Sequence, residues 1–252
     1  MVNKGIKFMS LFADMKRQDS ITAPKDSVGG TQLLESKVYD AVIKVAYAFQ
    51  SDKGAKGIKM EFLLEDGTTY KETAYISKQT GDNFFVINNK QYYLPGFILV
   101  DELCAVATEA YLSSQETDTR IVKEYDFATK GEVEKEVPVL TGLLNKKVKL
   151  GIQKYEEYKS EKQANGSYEL VADVVTRNAI DKVFNSDGLT TNELMDGLSE
   201  PKFLEEWETK FKGQLVNKKN DKKLAKSKAV KGTGIGSPLT NTAPKKSLFG
   251  NK

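Results

Sequence analysis

Apolar and polar residues alternate clearly from Val38 onward. In VYDAVIKVAYAFQ, residues 38–50, one side holds Tyr39, Ala41, Ile43, Val45, Tyr47 and Phe49, and the other holds Asp40, Lys44 and Gln50. A period of two predicts a strand with one buried face. SDKGAKG at 51–57 reads as a turn, and IKMEFLLE then puts Ile58, Met60, Phe62 and Leu64 on one face. Asp66-Gly67 is a hairpin signal. TYKETAYIS, 69–77, is the returning strand. A KQTGD turn, the short aromatic strand NFFVI at 83–87, an NNK turn and QYYLPGF follow. The first half is therefore expected to be an antiparallel meander, preceded by an irregular leader over residues 1–36.

The period then changes. From Leu99, apolar residues fall at 99, 100, 103, 106, 107 and 110, which predicts a helix. Asp101 and Glu102 would open it, where the helix dipole favours negative charge. Residues 112–136 are polar apart from an island, IVKEYDF, and read as an excursion from the core. Alternation returns at 147–158, with Val148, Leu150 and Ile152 opposite Lys147, Lys149 and Gln153. Asn165-Gly166 marks a turn, and SYELVADVVTR, 167–177, is a fifth long strand. Thr190-x-x-Glu193 has the form of a capping box, and Ser199 can N-cap a helix with Pro201 in its first turn. Phe203, Trp207 and Phe211 lie four apart on that helix.

Strand, strand, strand with a small hairpin, helix, strand, strand is the element order of the OB-fold. The expected class is mainly β (α+β): a five-stranded Greek-key OB-fold barrel over 37–185 with a helix between strands 3 and 4. A helical extension over 186–213 and a disordered basic tail over 214–252 follow. A different α+β sheet fits the same pattern.

Charge separates the tail from the body. Residues 217–252 hold ten Lys and one Asp, a net +9, so with +3 for the whole chain residues 1–216 carry −6. Of 38 basic residues only Arg17, Arg120 and Arg177 are arginine. Sequence-specific base readout relies on forked Arg contacts, whereas Lys suits phosphate without base preference. The absence of histidine excludes imidazole-based triads and His-ligated metals, and a single cysteine, Cys104, excludes an internal disulfide or a Cys-rich zinc site. Catalysis by a carboxylate, lysine or tyrosine stays open on composition, and no cofactor is expected. No run of 18 apolar residues and no signal-peptide core occurs, so a cytosolic protein with no membrane partner is expected.

The aromatic set around the third strand carries the first candidate chemistry: Tyr70, Tyr75, Phe84, Phe85, Tyr92 and Tyr93, interleaved with Lys71, Lys78 and Lys90. Binding unpaired nucleic acid needs aromatic faces for the bases and lysines for the phosphates. The same aromatics could equally be core. Tyr75 shares its face with Lys71, Thr73 and Ser77, which points it outward. Of each adjacent pair, Phe84/Phe85 and Tyr92/Tyr93, one ring is expected buried and one exposed, because neighbours point to opposite faces. Lys147, Lys149 and Gln153, with Arg177 ending the fifth strand, either extend a basic groove or form an ordinary solvated face. In the tail, Lys245, Lys246, Leu248 and Phe249 combine charge with an apolar anchor suited to partner docking, against a purely solubilising role. Gly232, Gly234 and Gly236 lack the strand and helix of a phosphate loop. Glu132, Glu134 and Glu136 read as a solvated face, Cys104 as a small buried hydrophobe and Trp207 as a packing anchor.

The run VYDAVIKVAYAFQSDKGAKGIKMEFLLEDGTTYKETAYIS, with YYLPGF leading into LVDELCAVAT, resembles single-stranded DNA-binding proteins of N4-like bacteriophages. VPVLTGLLNKKVKLGI, IDKVF and the tail ending SLFG are similar to that family too. The resemblance covers roughly residues 1–215 and the end of the tail. It implies an OB-fold replication protein that coats unpaired DNA in replication and recombination, in the cytoplasm of an infected bacterial host. It also implies contact through the tail with phage replication proteins or host RNA polymerase. The tail departs from the acidic tails of many replication proteins, since it is basic. A protein-interaction module or transcription coactivator working through that tail is the alternative reading. A carboxylate-based metal nuclease is disfavoured by the lack of a compact acidic motif.

Overall fold

A computed structural model describes residues 33–231, except Phe127, Ala128 and Asn165. The described chain is mainly β, with ten strands, antiparallel but for one short pair, and few helices. β1 (Lys37–Gln50), β2 (Lys56–Leu64) and β3 (Thr69–Tyr75) form the expected meander, with Met60 opposite Ala46 on one side and Glu72 on the other. Two longer strands, β8 (Lys147–Lys162) and β9 (Tyr168–Phe184), form a second hairpin. The first half of β1 pairs with β8, from Lys37 opposite Ile152 to Val42 opposite Lys147. β10 (Leu215–Asn217) runs parallel to β8.

Ile58, Met60, Phe62, Leu64, Leu150, Ile152 and Val183 close the core between the two hairpins. Each such buried side chain contributes about 1.5–3 kcal/mol relative to exposure. Among the described residues, β3 and β9 have no strand pairing to each other, so the pairing does not close a five-stranded ring. The Glu72 carboxylate of β3 reaches across instead. It accepts from the Tyr70 hydroxyl (2.7 Å) and, more weakly, from the Ile180 N–H of β9 (3.4 Å). Burial raises the Glu72 pKa above the ordinary carboxylate value.

β1 does not keep one face inward along its whole length. The register with β2 shifts between Ile43 and Val45, a β-bulge. Before it Tyr39, Ala41 and Ile43 face the core; after it Ala46 and Ala48 do. Val45, Tyr47 and Phe49, expected inside, are thereby turned to the outer side of the sheet. The bulge falls where β1 changes neighbour. Ile43 is the last residue bonded to the β8 side, through Lys146 and Asn145, and Tyr47 next lies opposite Val139 of β7 (Gly131–Leu140). β7 and its hairpin partner β6 (Thr117–Asp126) are the excursion expected over 112–136. Their base packs Val122, Val137 and Val139 over Tyr47 and Val45, a small second core outside the first.

Between β3 and β6 stand a two-stranded hairpin, β4 (Phe84–Ile87) and β5 (Lys90–Tyr93), and helix α1 (Pro95–Thr108). Asn88 and Asn89 both take positive φ in the two-residue turn, as the tight hairpin turn requires. α1 starts at Pro95, four residues before the expected Leu99, because proline is preorganised for a first helical position. Asp101 and Glu102 thus lie within the helix, not at its opening. Asp101 accepts from the Leu112 N–H (2.9 Å), and Glu102 pairs with Lys182 (2.8 Å). Val100, Leu103 and Cys104 enter the core, and burial pushes the Cys104 thiol up to about 12.

Thr190 caps helix α2 (Thr191–Met195) through the expected capping box with Glu193. Helix α3 (Phe203–Phe211) does not use Ser199. The second Glu193 oxygen accepts from the N–H groups of Lys202 and Phe203 (2.8 Å each) and takes that capping role. Trp207 of α3 is buried over Gly151, and its indole N–H donates to Asp181 (2.8 Å). Secondary structure continues beyond the expected tail boundary at 214, through β10 and helix α4 (Asp221–Lys231). The buried Leu224 and the Tyr158 hydroxyl bond to Asp221 (2.6 Å) hold α4 to the long hairpin. A few anchoring residues suffice there in a lysine-rich segment. The leader before residue 33, Gly232, Gly234, Gly236, Lys245, Lys246, Leu248 and Phe249 lie outside the described residues. No helix among the described residues is long and apolar enough to cross a membrane.

Candidate nucleic-acid interface

Three strands contribute one aromatic row on the outer face. Phe49 of β1 lies opposite Gly57 of β2, and Gly57 opposite Tyr75 of β3. A Cβ at Gly57 would stand 2.5 Å from the Phe49 ring, so any side chain there pushes the ring aside. With no side chain between them, the two rings meet edge to face, their centroids 5.6 Å apart at 71°, a favourable arrangement. Tyr75 is 52% exposed, and Lys71 and Thr73 share its face, as the alternation predicts. The Lys59 ammonium completes the row, 5.3 Å from the Phe49 centroid and 5.9 Å from that of Tyr47, within cation–π range.

Beyond Tyr75 the turn at 78–82 leads into β4. Lys78 pairs with Asp82 (3.6 Å) and sits 5.5 Å over the Phe84 ring. The β4–β5 ribbon carries aromatics on both faces. Phe84 lies opposite Tyr93 and Phe85 opposite Tyr92, with Phe85 and Tyr92 stacked at 5.8 Å. Tyr93 continues to Phe97 of α1 at 5.1 Å. The expectation that one of each adjacent pair is buried fails. Phe84 and Phe85 are half-buried, and Tyr92 and Tyr93 are both exposed, Tyr93 at 58%. The ribbon is a separate two-stranded sheet, and its contact with α1 through Tyr93 and Phe97 leaves neither face fully buried. Val86 and Ile87 are exposed at its tip, and Lys90 begins β5 in solvent.

Open clefts run along this path. Tyr75 borders one of about 730 Å³, between β3, the start of α1 and Ile180 of β9, and one of about 530 Å³ toward Ala55 and the 78–82 turn. Asn83, Phe84, Gln91, Tyr92 and Tyr93 line another of about 430 Å³. Tyr93 and Phe97 border a fourth of about 410 Å³ with Tyr111 and Met195. Each opening is edged by at least one ring, a geometry that fits a succession of flat groups on a flexible chain.

Other residues singled out from the sequence lie apart from this row. Lys149 pairs with Asp40 (2.6 Å) at the opposite end of β1, nine residues before Phe49, roughly 30 Å along a strand. Lys147 lies beside it in a separate cleft with Leu63 and Glu65. Gln153 is 2% exposed and does not join them in solvent; two residues before it, on the same side of β8, Trp207 packs over Gly151. Arg177 stands three residues before Ile180 and is paired with Glu157 (3.1 Å). Tyr70 faces inward, its hydroxyl committed to Glu72. Phe49, Lys59 and Phe97 are the members of the row that sequence reasoning missed. The one available signal was the switch of the even positions of β1 from Asp40 and Lys44 to Ala46 and Ala48, which marks a change of face.

Among the described residues no group of three or more Cys, Asp or Glu side chains is placed to hold a metal ion. No protein-family model matches the sequence, and no curated protein matches it.

Proposed function

We propose that this chain binds single-stranded DNA without sequence preference, as a non-enzymatic coat protein of phage replication and recombination. The observation that carries this reading is the uncovered aromatic path from Phe49 and Tyr75 to Tyr92 and Tyr93. An isolated two-stranded ribbon is marginally stable in water, and contiguous exposed rings mark a contact surface. Bases would stack on Tyr75, Phe84, Tyr92 and Tyr93, with Lys71, Lys78 and Lys90 along the phosphates. The strand order supports an OB-type arrangement: a three-strand meander, a helix, then a hairpin returning to β1. In that reading Glu72 spans the seam that a direct β3–β9 ladder would close. The family resemblance points the same way.

Titrating the full chain with labelled oligo-dT and a matched duplex, at low and high salt, tests the proposal. Tight, salt-dependent binding with a clear single-strand preference is expected. A chain ending at Lys231 should keep that preference. Binding that disappears with the tail, or that treats duplex and single strand alike, would overturn the reading in favour of a tail-driven adaptor.

A further inference from the structure

Lys59 is flanked on the outer face by the Tyr47 and Phe49 rings, and its charge partner comes from the β6–β7 arm. Glu124 of β6 makes the ion pair with Lys59, and its second carboxylate oxygen takes Lys135 of β7 at 3.2 Å. One carboxylate thus sits between two ammonium groups. The β6–β7 arm is anchored independently of this contact, by Val122, Val137 and Val139 over Tyr47. The ion pair is therefore not what attaches the arm. It instead covers a cation on an aromatic platform. Burial, with Lys135 nearby, lowers the Lys59 pKa, and Lys59 and Lys135 share the one Glu124 carboxylate. A phosphodiester offers what Glu124 offers: one negative charge shared over two oxygens.

We propose that Lys59 is a backbone contact of the single-strand site and that Glu124 occupies its place in the unliganded protein, so that nucleic acid binds by displacing the β6 carboxylate. The inference rests on the single-strand reading above and assigns that site a built-in competitor. Exchange of carboxylate for phosphate leaves the charge on the Lys59–Lys135 pair unchanged.

The test is a cycle of Glu124→Gln, Lys59→Gln and the double variant in the full chain, titrated with oligo-dT over a salt series. Urea unfolding checks that each variant folds. If Glu124→Gln unfolds, Glu124→Asp, one methylene shorter, is expected to act in the same direction. Glu124→Gln should bind about two- to fivefold more tightly, the range for releasing one partly exposed ion pair. Its log–log salt slope should steepen by up to about 0.7, the equivalent of one phosphate contact on a single strand, because no displaced carboxylate takes a cation back. Lys59→Gln should weaken binding, and on that background Glu124→Gln should have no effect. Equal or weaker binding by Glu124→Gln overturns the proposal, as does an equal gain on both backgrounds. Tyr75→Ala and Tyr93→Ala separate this failure from that of the parent reading. If they weaken binding while the Glu124 cycle is flat, only the competitor falls. If no variant matters because the intact chain does not bind oligo-dT, the single-strand reading falls with it.

Discussion

Gly96 of α1 lies directly on the main chain of Tyr75, where a Cβ would stand 2.4 Å from the carbonyl oxygen and 3.0 Å from the nitrogen. The first turn of the helix and the last residue of β3 are therefore set against each other with no room for a methyl group. Neither neighbour is the end of a flexible side chain, so one of two backbone elements must shift. Gly96→Ala should destabilise the protein by about 1–3 kcal/mol, the usual cost of overpacking, read as a lower urea midpoint. It should also weaken oligo-dT binding in the folded fraction, because it displaces Tyr75.

The aromatic path predicts a division of labour that affinity and salt dependence resolve. Tyr75→Ala and Tyr93→Ala should each cost about 1–3 kcal/mol of single-strand binding, with little loss of stability, since both rings are exposed. Lys78→Ala and Lys90→Ala should flatten the salt slope by about 0.7 each. Lys149→Ala should change affinity less than twofold or so, as expected of a surface charge outside the contact region. Fluorescence anisotropy over a salt series measures all of these.

Glu72 predicts a stability gain from removing a charge. Burial raises its pKa, so the folded protein holds a proton more tightly than the unfolded chain does. Stability then falls as pH rises from the ordinary carboxylate value of 4.5 through the raised one, so a penalty absent in acid is present at neutral pH. Glu72→Gln, which keeps an acceptor for Tyr70, should be more stable than the parent at pH 7 by about 1 kcal/mol, the scale of one poorly compensated buried polar group. The difference should vanish below pH 4. Urea midpoints at the two pH values decide it, and equal stability at pH 7 would refute it.

Glu193 runs in the opposite sense. Burial alone would raise its pKa, but donors from Thr190, Phe203 and Lys202 outweigh burial and hold it below 4.5. Its contribution is complete above the ordinary carboxylate range and is lost as pH falls through the lowered value. Glu193→Ala strands the N–H groups of Lys202 and Phe203 and should cost about 1–2 kcal/mol. Trp207 is the only tryptophan and lies on the helix that Glu193 caps, so its fluorescence should report the loss directly.

These residues also show where the fold was legible in the sequence. The β1–β2–β3 meander and the outward turn of Tyr75 follow from strict alternation, because polar Lys71 and Thr73 and apolar Ile58, Met60 and Phe62 leave only one phase. The bulge after Ile43 does not follow, since it is imposed by a change of neighbour from β8 to β7 that local pattern does not encode. Phe84 and Phe85 read as half core because a strand is ordinarily fully covered on one side, whereas this separate ribbon is only partly covered. Ser199 had the right chemistry for a cap but lost to a carboxylate brought in by α2. Lys149 looked available for phosphate because Asp40, its partner, is 109 residues away in the chain.

The late arrival of the second neighbour of β1 has a consequence during synthesis. Lys37 pairs with Ile152, so β1 emerges from the ribosome about a hundred residues before the strand that completes its inner edge. At about 5–20 residues per second, the first hairpin waits roughly 5–20 s for β8. Through that interval the apolar face of Ile58, Met60, Phe62 and Leu64 lacks Leu150, Ile152 and Val183, and only Val100, Leu103 and Cys104 of α1 are at hand to cover it. The nascent chain is then a substrate for holding chaperones, and two such chains on one message are well placed to stick to each other.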